Sequence, residues 1–377
     1  MIGRIGIDAR YVDDSYPGVG RYLLGLIPAL AQQPGVGELC VLHRPGQSLQ
    51  PFGASVVSAS RIRWVESRAP VRSWLEQLEL PRLARRLRID VFHAPYVLAP
   101  LRMPCPMTVG VYDLIPLRED GGFGSPLRRA MFRQLMRLVL QRAAAVVTLS
   151  FAARDEIRAA FPRLSPRVFV TPAAAGAEFR PVERSDADRA TASLGLPERF
   201  VLYVGTDRPH KNLARLLEAW ARLGDARRGA QLLLAGKPSA RYRSACQTLL
   251  ARGGNDVRFV GQVADALLPA LYSRAQLLVL PSLAEGFGLP VLEAMACGTP
   301  VACSDTPALR ELGGDAALRF DPYDVDSIGA VVSRLLESEP LRLDLRRLGL
   351  ARAASFDWNA TAAATVRAYA AATGTAG

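Results

Sequence analysis

Cysteine, histidine and lysine are all scarce in this chain of 377 residues. It has five cysteines and three histidines, and its two lysines are Lys211 and Lys237. An odd number of cysteines without a C-x-x-C pair argues against a disulfide framework or a zinc site and favours a reducing compartment.

Long hydrophobic runs are also missing. No apolar stretch approaches the ~18 residues that span a bilayer, and the opening segment MIGRIGIDAR lacks the apolar core of a signal peptide. We therefore expect a cytoplasmic protein. Peripheral attachment at the inner face of the plasma membrane stays open.

Acidic residues are outnumbered, with 35 Asp+Glu against 47 Lys+Arg and a formal net charge of +12. Residues 1–180 hold 24 arginines and 14 acidic residues, and so carry nearly all of the excess. Two interpretations stand: solubility combined with a preference for arginine, or an anionic partner of the first half, such as a membrane surface. We expect no nucleic-acid partner.

The chain has the composition of a globular protein, with 50% hydrophobic residues. Its length exceeds the ~250–300 residues above which a single hydrophobic core usually divides into domains. Strand-like runs alternate with helical patterns, which predicts an α/β fold of two Rossmann-like, doubly wound domains. We predict domains at residues 1–180 and 197–355, with a C-terminal helix and tail at 356–377. Predicted strands lie at 4–7, 40–43, 90–93, 108–111, 145–149, 200–204, 231–235, 257–260, 276–280 and 300–303.

The densest motif is PSLAEGFGLPVLEAMACGTPV at residues 281–301. A predicted strand leads into a glycine-bearing turn, and Pro290 suits the first turn of a helix, where its missing N–H has no partner to lose. Unpaired N–H groups at a helix N-terminus favour an anion such as phosphate. The turn consists of Glu285, Gly286, Phe287 and Gly288, and the expected N–H donors are Gly288, Leu289 and Val291.

The motif also contains two carboxylates, Glu285 and Glu293. Carboxylates beside a phosphate would repel it, so hydrogen bonds with sugar hydroxyls are the favoured interpretation. The alternative is a tight turn in which Glu293 complements the helix dipole.

The stretch EGFGLPVLEAMACGTPV resembles the E-x7-E signature of retaining glycosyltransferases of family four. The resemblance implies a GT-B fold, with two domains facing each other across a cleft and the last helix crossing back to the first domain. It also implies that Glu285 contacts hydroxyls of the transferred sugar, that Glu293 holds the ribose, and that the N–H groups between them hold the diphosphate. Enzymes of this kind need no metal or cofactor.

A second segment, VLYVGTDRPHKNLARLL at residues 201–217, is similar to the family's phosphate-binding region. Asn212 suits an N-cap before a helix. The resemblance makes Lys211 the phosphate-binding lysine, with Gly205 in the same loop. Where other members have an arginine after the glycine, this chain has Thr206, and Arg208 is expected to compensate.

Two further segments are assigned by the same resemblance. In VRFVGQVADALLPALY, the backbone from Val260 to Val263 brackets the nucleotide base, which leaves the base itself unspecified. In PGVGRY, Gly18 and Gly20 precede a helix and face the diphosphate from the first domain. As a dinucleotide fingerprint this glycine pair fails, because Leu23 takes the third glycine position.

The family's histidine–aspartate pair is replaced here by Tyr112 and Asp113. A tyrosine can hydrogen-bond a sugar hydroxyl, but it carries no positive charge near neutral pH. Tyr112 and Asp113 are therefore catalytic candidates. His93 is either a catalytic group or a hydrogen-bonded histidine at a strand end.

The helical segment SPLRRAMFRQLMRLVLQR at residues 125–142 carries two stripes. Arg129, Arg133 and Arg137 form the basic one. The apolar one consists of Leu127, Met131, Leu135 and Leu138. Either the apolar stripe packs on the sheet as in an ordinary amphipathic helix, or the helix lies at an anionic lipid surface.

The sequence thus predicts a retaining hexosyltransferase acting on a glycan or lipid-linked acceptor. GDP-mannose is the favoured donor, since GIDAR…GVGRY resembles bacterial mannosyltransferases of surface-polysaccharide synthesis, and UDP-hexoses remain open. Two alternatives are a sugar-nucleotide epimerase of the same fold, which incubation with donor alone would reveal, and a non-catalytic nucleotide-sugar-binding protein.

Overall fold

The computed structural model describes residues 2–13, 17–118, 125–162, 167–237 and 256–374. Within the chain, two compact units separate. Unit 1 comprises Met1–Leu117, Ser125–Ala174 and Asp357–Gly377, and unit 2 comprises Arg118–Gly124 and Ala175–Phe356. Each unit is built around one parallel sheet, as the alternation of strand and helix patterns predicts.

Unit 1 contains a seven-stranded sheet in the order β3-β2-β1-β4-β5-β6-β7. All neighbouring strands pair in parallel. The strands are β1 (Ile2–Asp8), β2 (Val36–His43), β3 (Ile62–Glu66), β4 (Val91–Ala94), β5 (Met107–Gly110), β6 (Ala145–Thr148) and β7 (Arg167–Val170). The central strands β4, β5 and β6 are buried along their whole length, as expected for a parallel sheet with both faces covered.

The helices of unit 1 follow from the strand order. Right-handed crossovers put the helices of leftward steps on one face of the sheet and those of rightward steps on the other. The chain steps leftward through α1 (Pro17–Ala31) and α2 (Ala54–Val57), and rightward through α3 (Glu76–Leu87), α4 (Pro126–Arg142) and α5 (Phe151–Ala160). The helices α3, α4 and α5 therefore share one face.

Unit 2 contains a six-stranded sheet in the order β10-β9-β8-β11-β12-β13, again parallel. Its strands are β8 (Phe200–Val204), β9 (Gln231–Ala235), β10 (Val257–Gly261), β11 (Leu277–Leu280), β12 (Val301–Ser304) and β13 (Ala317–Phe320). Its described α-helices are α6 (Arg184–Ala190), α7 (Leu213–Arg222), α8 (Leu268–Arg274), α9 (Leu289–Ala296), α10 (Pro307–Gly313), α11 (Val325–Glu337) and α12 (Glu339–Ala354).

The apolar face of α7 predicted from its spacing is buried. Leu213, Leu216, Leu217 and Trp220 pack with strand residues such as Val201 and Leu232 in one core cluster. Short 3-10 turns lie at Ala9–Tyr11, Gln50–Phe52, Ile115–Leu117, Ala192–Leu194, Pro209–Lys211, Gly224–Arg227, Asp265–Leu267 and Gly314–Ala316.

The last helix, α13 (Trp358–Thr373), belongs to unit 1. Asp357 caps it by accepting a hydrogen bond from Ala360 N at 3.1 Å, so the helix begins where the sequence predicts. It packs against α1 and against strands β4 to β7. A Cβ at Gly25 would lie 2.0 Å from the Trp358 ring, so this approach of α13 to α1 requires glycine.

Among the described residues, no helix has the length and apolarity needed to cross a membrane. Cys40, Cys105, Cys297 and Cys303 are free thiols. Burial raises the pKa of the Cys40 thiol to about 11.

Candidate functional site

The candidate site is assembled at the carboxyl edge of the unit 2 sheet, where parallel α/β folds bind ligands. Strands β8, β9 and β10 each end in or beside a glycine: Gly205, Gly236 and Gly261. Gly205 N donates to Ala235 O at 2.9 Å, and Gly236 N donates to Gly261 O at 2.8 Å. The three strand ends are therefore tied side by side.

Gly236 allows the closest of these approaches. A Cβ there would lie 1.8 Å from Gly205 O, and φ is +157°. The motifs did not single out Gly236, although a glycine directly after the strand LLLA is the signal that could have found it. Because Gly236 has no side chain, the backbone at Gly205, after β8, can pack directly against the end of β9.

Tyr203, on β8, holds the same loop through a side-chain hydrogen bond. Its hydroxyl donates to Thr206 O at 2.6 Å, and a Cβ at Gly205 would lie 2.8 Å from that hydroxyl. Burial and the nearby carboxylates of Glu285 and Asp207 raise the pKa of Tyr203 above its usual range, so it stays a neutral donor. Sequence analysis missed Tyr203 because a strand tyrosine looks like core.

Lys211 and Glu285 meet at the centre of this edge. Lys211 Nζ lies 2.7 Å from Glu285 Oε1, and the two side chains are only 17% and 9% exposed. Leu283 N also donates to His210 O at 2.7 Å, which fixes the two loops to each other. Two residues assigned from separate motifs, 74 positions apart, thus form one mostly buried ion pair.

Asn212 differs from its predicted role. It occupies the N-cap position of α7, but its backbone is left-handed and its side chain makes no capping hydrogen bond. The side-chain amide instead donates to Pro281 O at 3.0 Å and Pro322 O at 2.7 Å. Asn212 therefore links the loops after β8, β11 and β13, and so positions Lys211 beside Glu285.

The other residues of this loop differ in exposure. Thr206 is half-buried, and its carbonyl is taken by Tyr203. Arg208 is exposed at the start of the turn Pro209–Lys211. His210 is buried. Arg208 can therefore reach outward with its charged side chain, as its compensating role would require.

The turn before α9 has the predicted form. Gly288 is its N-cap residue with φ +109°, and a Cβ there would lie 2.6 Å from Leu309 Cδ2. Val291 N, expected to be unpaired, donates to Gly288 O at 2.9 Å. The prediction for Val291 is wrong, because its N–H closes the first turn of α9 onto the N-cap carbonyl. Helix geometry leaves the earlier donors, Gly288 and Leu289, to face a ligand.

The side chains around this turn are mostly structural. Gly286 is buried, and Phe287 is 5% exposed with its ring 5.8 Å from that of Phe356. The aromatic ring thus anchors the turn in the core, and any contact of Gly286 or Phe287 with a ligand falls to the backbone.

Glu293 is almost fully buried on α9. Its Oε2 accepts a hydrogen bond from the Tyr272 hydroxyl at 2.8 Å, and Thr299 donates to Tyr272 O at 2.7 Å. Glu293 therefore does more than complement a helix dipole: it is a fixed acceptor. Its predicted contact with ribose stays a prediction.

The segment assigned to the nucleotide base contains an irregular strand end. The register of β10 against β9 shifts between Phe259 and Gly261, so Val260 is the extra residue. Val260 is half-buried and Val263 is buried. A bulge of this kind re-aims backbone groups at the edge of a sheet, which suits recognition of a base by backbone.

Unit 2 contains two D-x-D triplets, at residues 186–188 and 324–326, and their carboxylates make contacts within the protein. Asp324 caps α11 by accepting from Asp326 N at 2.9 Å, and Asp326 pairs with Arg222 at 2.8 Å. Asp188 pairs with Arg274 at 2.6 Å. Their carboxylates are thus already engaged with partners of the protein itself.

In unit 1, α1 begins at Pro17, so Gly18 and Gly20 lie in its first turn. The prediction that they precede the helix is wrong, since Pro17 is well suited to a first helical position. A Cβ at Gly18 would meet nothing within 4 Å, and one at Gly20 would lie 3.5 Å from Val12 Cα. Their predicted contact with a diphosphate stays a prediction.

Tyr112 and His93 both turn their polar atoms inward. The Tyr112 hydroxyl is buried and its ring lies 5.2 Å from that of Tyr22; burial raises its pKa well above the usual value. His93 Nδ1 lies 2.6 Å from the Tyr369 hydroxyl, and burial lowers the pKa of His93 to about 3. His93 is therefore a neutral strand-end residue joined to α13. Asp113 accepts from Ile115 N at 2.9 Å.

The GIDAR motif proves to be a buried ion cluster. The Arg10 side chain, 0% exposed, bonds both Asp8 oxygens at 2.7 Å, Ala69 O at 2.6 Å and Glu76 Oε2 at 3.2 Å. Burial raises the pKa of Glu76 to about 7 against the opposing pull of Arg10. The cluster ties the end of β1 to the loop before α3, a role the motif alone did not indicate.

On α4, the predicted apolar stripe is the exposed one. Leu127, Met131, Leu135 and Leu138 are 69%, 64%, 38% and 40% exposed; we call them the α4 ridge. The buried face consists of Phe132, Met136, Val139 and Leu140. The expectation that the ridge packs on the sheet is wrong, because a second apolar stripe faces the sheet instead.

Comparison with known proteins covers both units. Residues 185–350 match the family model described as Glycosyl transferases group 1, and residues 16–174 match the one described as Glycosyltransferase Family 4. The O-antigen chain mannosyltransferase B of Escherichia coli is 31% identical over 374 residues, which cover 94% of this chain and 96% of that protein.

Solved structures share the whole fold. Sucrose-phosphate synthase from Thermosynechococcus elongatus has a TM-score of 0.77 at 22% identity, covering 99% of this chain and 100% of that one. The Anabaena protein Alr3699/HepE, solved in complex with UDP-glucose, has a TM-score of 0.74 at 18% identity, covering 97% and 99%. At these identities the similarity shows the fold alone.

Proposed function

Because the chain belongs to glycosyltransferase family 4, we propose that it transfers mannose from GDP-mannose to a glycan or lipid-linked acceptor with retention of anomeric configuration. The observation that carries the proposal is the Lys211–Glu285 pair beside the N-terminus of α9. A cation, a carboxylate and helix N–H donors at one sheet edge suit a sugar joined to a diphosphate. The mannosyltransferase that covers nearly the whole chain supports the choice of sugar.

The chemistry we propose is mainly electrostatic. As the bond from the sugar C1 to the phosphate oxygen breaks, Lys211 and the N–H groups of Gly288 and Leu289 stabilise the charge on the leaving diphosphate. The acceptor hydroxyl attacks from the same face and passes its proton to that diphosphate. Glu285 holds the sugar through its hydroxyls, and Glu293 holds the ribose.

A donor panel tests the proposal. We expect GDP-mannose, and neither UDP-glucose nor other hexose donors, to give a product one hexose heavier than the acceptor by mass spectrometry. Activity should survive excess EDTA, because Lys211 and the helix N-terminus supply the charge that a metal would otherwise provide. Loss of activity in EDTA with recovery in magnesium or manganese would contradict the metal-free mechanism. Release of an epimerised donor without acceptor would favour the epimerase alternative.

We also propose that unit 1 lies on the inner face of the plasma membrane, where a lipid-linked acceptor would be found. The α4 ridge is exposed, and on the same helix Arg133 and Arg137 are exposed and Arg129 is half-buried. No acidic residue occurs between residues 125 and 142. An exposed apolar ridge edged with arginines is typical of helices at anionic membrane surfaces.

Replacing Arg129, Arg133 and Arg137 together by glutamine should weaken binding to anionic vesicles. Each arginine near such a surface contributes about 1 kcal/mol, so the three supply ~3 kcal/mol. Co-sedimentation at low salt measures this, and raising the salt should release the wild type because the attraction is screened. Donor hydrolysis should be unchanged in the variant. A wild-type protein that ignores anionic vesicles at low salt would contradict the membrane part of the proposal.

A further inference from the structure

The segment before α3 carries the most exposed large apolar side chain among the described residues of unit 1. Trp74 is 71% exposed, and Leu75 and Leu78 are 40% and 46% exposed. We call these three residues the tryptophan patch. Single exposed apolar residues are ordinary, but three within five positions, one of them tryptophan, mark a surface that meets another apolar phase.

The loop that carries Trp74 is firmly held from the inside. The buried Arg10 bonds Ala69 O and Glu76, and Glu76 accepts from Arg72 N at 3.0 Å. Glu79 accepts from Arg68 N and Ala69 N at 2.9 and 2.5 Å. With its base fixed by this network, the loop presents Trp74 outward as part of the fold.

The exposed charges of the segment that carries the patch, from residue 70 to 88, have one sign. The two carboxylates of the segment from residue 70 to 88 turn inward: Glu76 is buried with Arg10, and Glu79 accepts backbone N–H groups. The exposed charged side chains of that segment are Arg72, Arg82, Arg85, Arg86 and Arg88. An apolar tip on a segment whose exposed charges are all arginines is complementary to a bilayer with anionic headgroups.

The patch and the α4 ridge lie on the same side of unit 1. Both α3 and α4 follow rightward crossovers, so they share one face of the sheet, and both start at the carboxyl ends of the strands that precede them, β3 and β5. On α4 the most exposed ridge residues, Leu127 and Met131, are also those nearest its start. The chain around the start of α3 and the first turns of α4 thus expose apolar side chains at the same edge of the sheet.

From this arrangement, which rests on the membrane part of the proposed function, we infer that the tryptophan patch is a membrane anchor inserted at the headgroup–acyl boundary of an anionic bilayer. Trp is favoured at that boundary because its ring is apolar and its N–H is polar. A glycan surface would use aromatic rings to stack on sugars. In the patch and the α4 ridge together, five leucines and one methionine accompany a single tryptophan, which favours lipid. The arginines supply the salt-sensitive part of the attachment and the patch the salt-resistant part.

Tryptophan fluorescence tests this directly. Trp64, Trp220 and Trp358 are buried or half-buried, so a response to vesicles reports mainly on Trp74. With vesicles of phosphatidylcholine and phosphatidylglycerol, we expect a blue shift and quenching by brominated lipid, both absent in Trp74→Phe. Trp74→Ser combined with Leu78→Ser should lower partitioning about tenfold at high salt. Leu343→Ser, at a leucine of unit 2 that is 59% exposed, is the matched control and should bind as the wild type does.

Each other outcome overturns the inference. If vesicles bind but the Trp74 spectrum does not move, the anchor is elsewhere and the arginine-dependent attachment stands. If the spectrum moves with mannan oligosaccharides and not with vesicles, the patch binds glycan. If no vesicle binding occurs at all, the inference fails together with the membrane part of the proposed function, while donor specificity is unaffected.

Discussion

Glu285→Gln is expected to reduce mannosyl transfer by about 10³ or more while GDP binds as tightly as to the wild type, or more tightly. The carboxylate is assigned to the sugar, so its loss removes an interaction needed in transfer. In the wild type, however, Lys211 Nζ lies 2.7 Å from that same carboxylate, which partly neutralises the ammonium. A neutral glutamine leaves the full charge of Lys211 for the diphosphate. Single-turnover kinetics and calorimetry with GDP measure the two effects.

Glu293 provides the comparison for this result. Glu293→Ala should weaken GDP itself by roughly 1–3 kcal/mol, since a charged hydrogen bond to the nucleotide is lost. Tyr272 would also lose its acceptor, so thermal unfolding must be measured alongside. Equal loss of GDP affinity in the Glu285 and Glu293 variants would show that the division between sugar and nucleotide is wrong.

Lys211→Ala is expected to lower kcat by about 10²–10³, the usual effect of removing one preorganised charge that stabilises a leaving group. It also leaves Glu285, whose side chain is 9% exposed, without its cation, so some loss of stability should accompany the loss of rate. Steady-state kinetics at saturating donor measure kcat, and Lys211→Arg should recover part of it.

Arg347→Ala is the matched control for Lys211, because it removes an exposed cation of unit 2 whose partner, within the described part of the chain, is Asp344 on its own helix. We expect its kcat to equal that of the wild type. If Lys211→Ala folds normally and loses less than about fivefold in kcat, the leaving diphosphate is stabilised by other groups, with Arg208 the first to examine.

The sequence predicted the central strands best. The strands at 200–204 and 231–235 are found with the predicted bounds. Three strands were missed: Ile62–Glu66, Arg167–Val170 and Ala317–Phe320. Each lies at an edge of its sheet and carries an arginine, and an edge strand needs no continuous apolar run because one side meets solvent or loops.

The candidate site was predictable where its residues lie within one motif. The turn around Gly288 and the loop with Lys211 each carry their own local signal of glycine, proline and helix start. The contacts between different motifs have no such local signal in the sequence. Asn212 reaches Pro322 across 110 positions and Arg10 reaches Glu76 across 66, and only the order of strands in a sheet brings such residues together.

The helix α4 shows a different limit of prediction from sequence, which concerns the choice of the buried face. Its sequence carries two apolar stripes, the ridge with Leu127 and Met131 and the buried face with Phe132 and Met136. Periodicity identifies both as helix faces and cannot choose between them. The position of the sheet decides which stripe is buried, and the other is left for a partner.

The anomeric configuration of the first-formed product tests the central claim most directly. GDP-mannose carries its sugar in the α configuration, and the proposed front-face reaction at Lys211 and Glu285 keeps it. Incubating the purified protein with GDP-mannose and a mannoside acceptor, and following the one-bond C1–H1 coupling of the new linkage by NMR, should give an α-mannoside from the earliest time point. A β-mannoside would contradict the account, because it requires attack from the opposite face and a general base that these residues do not supply.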